Sequence, residues 1–179
     1  MPTELSDDIY SFQLSIDGQI YAFPMWYSDL ESLGWEYYGD PSQKIYSYDY
    51  DYEIWEKDDI EIWCDLTNIS INAAKASDCL VTGVEIDTYD SLSEHEILLP
   101  GNLAIDVATK EDIIAAYGEP TDFYEGTYSY FMYYELDYDQ QVVLYIDNET
   151  GLLDGIELEN VVEVEGMDNS FHPEKADSQ

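Results

Sequence analysis

Thr109-Lys-Glu-Asp-Ile-Ile-Ala-Ala-Tyr-Gly-Glu-Pro-Thr121 carries the clearest start and stop of a helix in this chain. Thr109 is an N-cap residue, and Glu111 and Asp112 place acids at the positive end of the helix dipole. Ile113, Ile114 and Tyr117 form one apolar stripe, Gly118 supplies a left-handed stop and Pro120 forbids continuation. A strand near 103–107 leads into this helix. Alternation then predicts three strands, over 128–136, 141–146 and 152–159. Their turns are Asp137-Tyr-Asp-Gln140 and Asp147-Asn-Glu-Thr-Gly151.

The first half runs in the same order. Residues 12–16 and 19–23 flank Asp17-Gly18, a two-residue hairpin signal. Ser28-Asp-Leu-Glu31 reads as a capping box, Leu30 and Leu33 share a face, and Gly34 stops the helix. Tyr50, Tyr52 and Ile54 alternate with Asp51, Glu53 and Trp55; after a turn at Glu56-Lys-Asp-Asp59, Ile60, Ile62, Cys64 and Leu66 alternate with Glu61, Trp63 and Asp65. A third strand covers 80–87. The expected fold class is therefore α+β: two tandem units, each a short helix packed on a three- to four-stranded antiparallel sheet. The units span 9–89 and 97–162, after an N-terminal arm over 1–8 and before a disordered acidic tail over 163–179.

Composition bounds the partners. The 179 residues hold 41 acidic and 5 basic residues, a net charge of −36, and every basic residue is a lysine. Nucleic acid is excluded as a ligand, because phosphate neutralisation needs clustered Lys and Arg. Anionic membrane surfaces are disfavoured on the same ground, and no apolar run is long enough to insert in a membrane. Eighteen tyrosines and four tryptophans set the chain apart from disordered acidic sequences, so the charge belongs on the surface of a folded body. Met1 to Asp8 lack the basic start and apolar stretch of a signal peptide, which leaves a cytoplasmic protein or a mature secreted segment. Cys64 and Cys79 are compatible with a disulfide or with two buried thiols.

Residues 109–121 with the strands that follow resemble the helix-and-sheet unit of the β-lactamase-inhibitor-protein-like superfamily. That superfamily includes SmpA/OmlA-type outer-membrane assembly lipoproteins, whose helix is similar and also ends in Gly-x-Pro-Thr. The stretch from Phe12 to Trp35, with its Ile-Asp-Gly turn and Asp-Leu-Glu-Ser-Leu-Gly-Trp helix end, resembles acidic repeat modules of secreted clostridial proteins. The resemblance implies a secreted or surface-attached protein of a Gram-positive bacterium and carries no functional residue over.

The chemistry-bearing residues point away from catalysis. Only His95 and His172 could serve as imidazole bases, and Cys64 with His95 is the one thiol–imidazole pairing to consider. No phosphate-cradling loop or serine elbow is present, and carboxylate pairs carry no information among so many acids. No cofactor is expected. Asp137-Tyr-Asp139, Asp147-Asn-Glu149 and Asp87-Thr-Tyr-Asp90 offer oxygens but match no calcium loop, so no metal site is expected. Asn68-Ile-Ser70 and Asn148-Glu-Thr150 match the glycosylation pattern. A short helix covers one face of a sheet, and the aliphatic-rich face takes the core. The other face would then display Trp55, Trp63, Phe131, Tyr133 and Tyr145 among Glu53, Glu61, Asp65 and Glu135. Large aromatics ringed by charge suit a protein-binding surface, and a basic protein partner fits the net charge. A second reading is an anionic mimic of nucleic acid that inhibits a DNA- or RNA-binding enzyme.

Overall fold

The computed structural model describes residues 2–87 and 95–162, so the expected acidic tail over 163–179 lies outside the described residues. The chain opens with β1 (Gln13–Ile16), β2 (Gln19–Ala22), β3 (Met25–Trp26), α1 (Tyr27–Ser32), β4 (Glu36–Tyr37) and β5 (Lys44–Ile45). Then come β6 (Tyr50–Lys57), β7 (Ile60–Thr67), β8 (Ala74–Lys75), β9 (Leu80–Asp87), β10 (Ile97–Leu99) and β11 (Leu103–Ala104). The last elements are α2 (Lys110–Tyr117), β12 (Asp122–Glu125), β13 (Ser129–Asp137), β14 (Gln140–Asp147) and β15 (Leu153–Asn160).

Strand dominates, and two tandem helix-on-sheet units do not form. One large antiparallel sheet runs β12-β13-β14-β15-β9-β7-β6-β4, with β3 also paired to β9, so both halves of the chain contribute to it. The join is β9 against β15, with Ile86 opposite Ile156 and Glu85 opposite Glu157. A smaller sheet, β11-β10-β1-β2, also mixes the halves, since Ile16 pairs with Ile97. The reason lies in β9. Its first five residues, Leu-Val-Thr-Gly-Val, are all buried, as befits a central strand with neighbours on both edges rather than the edge strand of a small unit.

One hydrophobic core lies against the inner face of the large sheet. Met132, Leu144, Ile156, Ile86, Val84 and Cys64 supply that face, and Leu14, Ile16 and Leu99 of the small sheet meet it together with Leu30 of α1 and Ile113 of α2. α2 forms as the sequence predicts. The Thr109 side chain accepts from the Asp112 amide, the Asp112 carboxylate accepts from the Thr109 amide, and Gly118 ends the helix at φ 84°. α1 starts two residues earlier than its sequence signal, with Trp26 as N-cap and no side-chain cap, so Ser28 forms no capping box. Tertiary pairing decides that start: Met25 and Trp26 pair with Val81 and Leu80, and the Tyr27 amide donates to Cys79 O at 3.2 Å.

Candidate functional site

Opposed residues on antiparallel strands share a face, so register assigns every side chain of the large sheet. On the outer face one row runs Tyr133, Val143, Glu157, Glu85, Trp63, Ile54 from β13 to β6. The next row toward one end of the strands runs Glu135, Gln141, Glu159, Gly83, Asp65, Tyr52. On the other side of the first row, Tyr124, Phe131 and Tyr145 line up across β12, β13 and β14. Their rings touch in sequence, with centroids 5.8 and 5.2 Å apart.

This face holds Trp63, Phe131, Tyr133, Tyr145, Glu61, Asp65 and Glu135, as expected from alternation. It does not hold Trp55 or Glu53, which correct the sequence reading. Trp55 pairs with Ile62 and Glu53 with Cys64, both on the core face. Trp55 is 0 % exposed and packs against Tyr27 and Tyr37, with ring centroids 4.8 and 5.1 Å away. The signal was available. The hairpin closes through Asp58 and Asp59, at φ 50° and 71°, and any two- or four-residue turn pairs odd positions with even ones. Trp55 must then share a face with Ile60 and Ile62, not with Trp63.

β7, β9 and β15 form the floor of a groove of about 680 Å³ at one end of the outer face. Asp65, Glu85, Glu157 and Glu159 line it together with Tyr48, Tyr50 and Tyr52. Sequence reasoning missed Glu85, Glu157 and Glu159, although acids alternate with buried aliphatics at 156–159 as on any one-sided strand. Two glycines make room. A Cβ on Gly83 would stand 2.4 Å from Asp65 Oδ2, and one on Gly155 would stand 2.7 Å from Ile86 O and 3.0 Å from the Tyr145 ring. The groove wall is tied down by Asn68, a buried residue rather than an accessible glycosylation site. Its Nδ2 donates to Ile45 O at 2.9 Å and Asn72 O at 2.8 Å, and its main-chain carbonyl accepts from the Tyr48 amide at 2.8 Å.

The electrostatics of the groove are one-sided. The Tyr145 hydroxyl donates to Glu157 at 2.9 Å, Gln141 Nε2 donates to Glu159 at 3.1 Å, and the Tyr52 hydroxyl donates to Glu85. Burial, then Glu159, Glu157 and Glu85, push the Asp65 carboxyl up to about 6. Burial also raises Glu159, partly offset by the Gln141 hydrogen bond. No described lysine faces these acids: Lys44 and Lys75 sit on the two-stranded β5–β8 pair, Lys57 ends β6, and the Lys110 ammonium lies 3.5 Å over the Tyr130 ring. The site thus offers carboxylates, phenols and aromatic surface to a cation.

Elsewhere the candidates resolve as structure. Cys64 and Cys79 are free, buried thiols. His95 Nδ1 contacts Asp17 Oδ2 at 2.8 Å, at the β1–β2 turn, so it does not serve Cys64. Asp147 holds its own turn, accepting from the Glu149 and Thr150 amides at 3.1 and 2.7 Å. Among the described residues no group of three or more His, Cys, Asp or Glu is placed to hold a metal ion, and no helix is long and apolar enough to cross a membrane. No protein family, no curated protein and no solved structure matches this chain.

Proposed function

We propose that this chain is a non-enzymatic protein-binding module that holds a basic partner against the outer face of its large sheet. The observation that carries the reading is the run of Asp65, Glu85, Glu157 and Glu159 along a groove with no described lysine on the same face. Beside it, Trp63, Tyr133, Phe131 and Tyr145 supply rigid aromatic surface, with Trp63 36 % exposed. Anchoring by aromatics and steering by charge are the two halves of an ordinary interface. A secreted or surface location follows the sequence resemblance alone.

The test uses equal-length synthetic peptides that are lysine- and arginine-bearing, neutral or acidic, with binding followed by fluorescence anisotropy at pH 7.5. The basic peptides bind, and added salt weakens them. The double variant Trp63→Ala plus Tyr133→Ala weakens binding tenfold or more while retaining the wild-type circular dichroism spectrum. Equal binding of all three peptide classes, or unchanged binding by the variant, overturns the reading.

A further inference from the structure

β12 is the outermost strand of the large sheet, and all four of its residues are exposed. The opposite edge of that sheet, β4, is only two residues long. In the small sheet one edge strand, β11, has two residues, and the other, β2, has none exposed. β12 is thus an edge strand exposed along its whole length, with no strand on its outer side among the described residues.

Its hydrogen-bonding groups divide by alternation. The Gly126 amide donates to Ser129 O at 2.9 Å, which closes the β12–β13 hairpin with a bonded pair. Counting back, Tyr124 and Asp122 face β13, while Phe123 and Glu125 turn their amides and carbonyls away from it. The Phe123 amide is taken up by its neighbour, donating to Asp122 Oδ1 at 2.8 Å. The Glu125 amide and the outward carbonyls remain for an incoming strand.

The side chains around this edge match such a guest. Phe123 and Tyr124 are 55 % and 60 % exposed and lie on opposite faces of β12. Tyr124 begins the aromatic row that continues through Phe131 to Tyr145, and Phe123 stacks on Tyr130 with centroids 5.6 Å apart. Asp122 and Glu125 end the strand, and Glu119 precedes it. Open edges invite pairing, and charge on the edge is one way proteins discourage it. Here that charge has one sign only. It repels a second copy of a chain carrying −36, and it attracts a basic strand.

We propose that the β12 edge docks an extended, lysine- or arginine-bearing segment of the partner protein, which joins the large sheet as an added strand. The partner's class and charge rest on the function proposed above; the mode of docking is new. Main-chain hydrogen bonds to the Glu125 amide and the Phe123 and Glu125 carbonyls hold the segment, and alternate side chains of the guest lie beside Tyr124 and Phe123.

Residue-resolved amide hydrogen exchange of the full chain, with and without the tightest basic peptide of the panel, tests this. Bound peptide slows exchange at Glu125 tenfold or more. Glu125→Pro removes an amide that β13 does not use, so the strand tolerates it as an edge position does. That variant binds at least tenfold more weakly than Glu125→Gln, which controls for the lost charge. Should Glu125→Pro lower the melting temperature, the exchange data on the wild type decide alone. Binding without protection at Glu125 overturns strand addition, and the outer-face reading survives if Trp63→Ala plus Tyr133→Ala still weakens that binding. If no peptide binds the wild type, both proposals fall. Concentration-dependent protection of β12 in the free chain, with a dimer in sedimentation, assigns the edge to a second copy and also overturns the proposal.

Discussion

Asp65 sits half-buried among three like charges, with its carboxylate laid over Gly83, and nothing described neutralises it. Its folded value of about 6 stands above the roughly 3.9 of an unfolded aspartate, so the native state holds the extra proton between those values. The contribution of this group to stability is therefore lost as pH rises through that window and is absent above it. Asp65→Asn should raise the melting temperature at pH 7.5, with the gain shrinking toward pH 4. Two pKa units would be worth about 2.7 kcal/mol, and solvent screening of a partly exposed group reduces that to about 1 kcal/mol, or some 2–4 °C in a chain this size. Calorimetry of the two proteins at pH 7.5 and 4.5 checks it, and an equal melting temperature at pH 7.5 would remove the cost assigned to this carboxylate. Alternation placed Asp65, Trp63, Tyr133 and Tyr145 on the correct face because each strand was read with its own period. Trp55 lies on the core face because the parity of the β6–β7 turn, which the period of neither strand contains, decides which of their faces join.

The helices show what local signals can and cannot do. α2 begins at Thr109 because both halves of a reciprocal cap are present in four residues, and nothing distant competes. α1 begins at Tyr27 because β3 and the Cys79 carbonyl fix the backbone before Ser28 is reached. Thr109→Ala should therefore cost about 1 kcal/mol, and Ser28→Ala, whose side chain caps nothing, should fall within about 0.5 kcal/mol of wild type. Urea unfolding of both variants measures the difference, and equal losses would contradict the cap assignment. The strands obey the same logic. β6, β7, β9, β13, β14 and β15 are long and alternate or are apolar, so their positions were legible to within about two residues. β10 and β12 were missed, since three residues of β10 and the Asp-Phe-Tyr-Glu of β12 carry no pattern of their own and exist through their partners. Order was the harder matter. Sequence neighbours pair by short turns, but β9 against β15 joins positions about seventy residues apart, and only mutual burial specifies it.

For the whole molecule, a charge of −36 carried with only five lysines makes stability a function of pH and salt. Two classes of carboxylate act in opposite directions. Burial raises Asp65, Glu159 and Asp106, each with like-charged neighbours. Hydrogen bonds lower Asp17, through His95 and the Glu96 amide, and Asp40, Asp112 and Asp147, through Ser42, Thr109 and Thr150. The raised class binds protons in the folded state before the unfolded chain does, so its members favour folding as pH falls toward about 4, Asp65 from about 6 downward. The lowered class stabilises above about 4, and that contribution is lost as pH falls through the folded values below it. Between pH 7.5 and 5.5 only the raised class begins to titrate, and the melting temperature rises by a few degrees. Below about pH 4 the lowered class dominates and the melting temperature falls, which puts the maximum near pH 4. Salt acts on the repulsion directly, because at about 0.15 M it is already confined to roughly 8 Å. Added NaCl at pH 7.5 therefore raises the melting temperature, and raises it less in Asp65→Asn, which has lost one of the repelling groups. Calorimetric scans across pH 3.5 to 7.5 at two salt concentrations give the result; a melting temperature that falls on going from pH 7.5 to 5.5 and also falls with salt would mean that the hydrogen-bonded carboxylates outweigh the crowding in the groove.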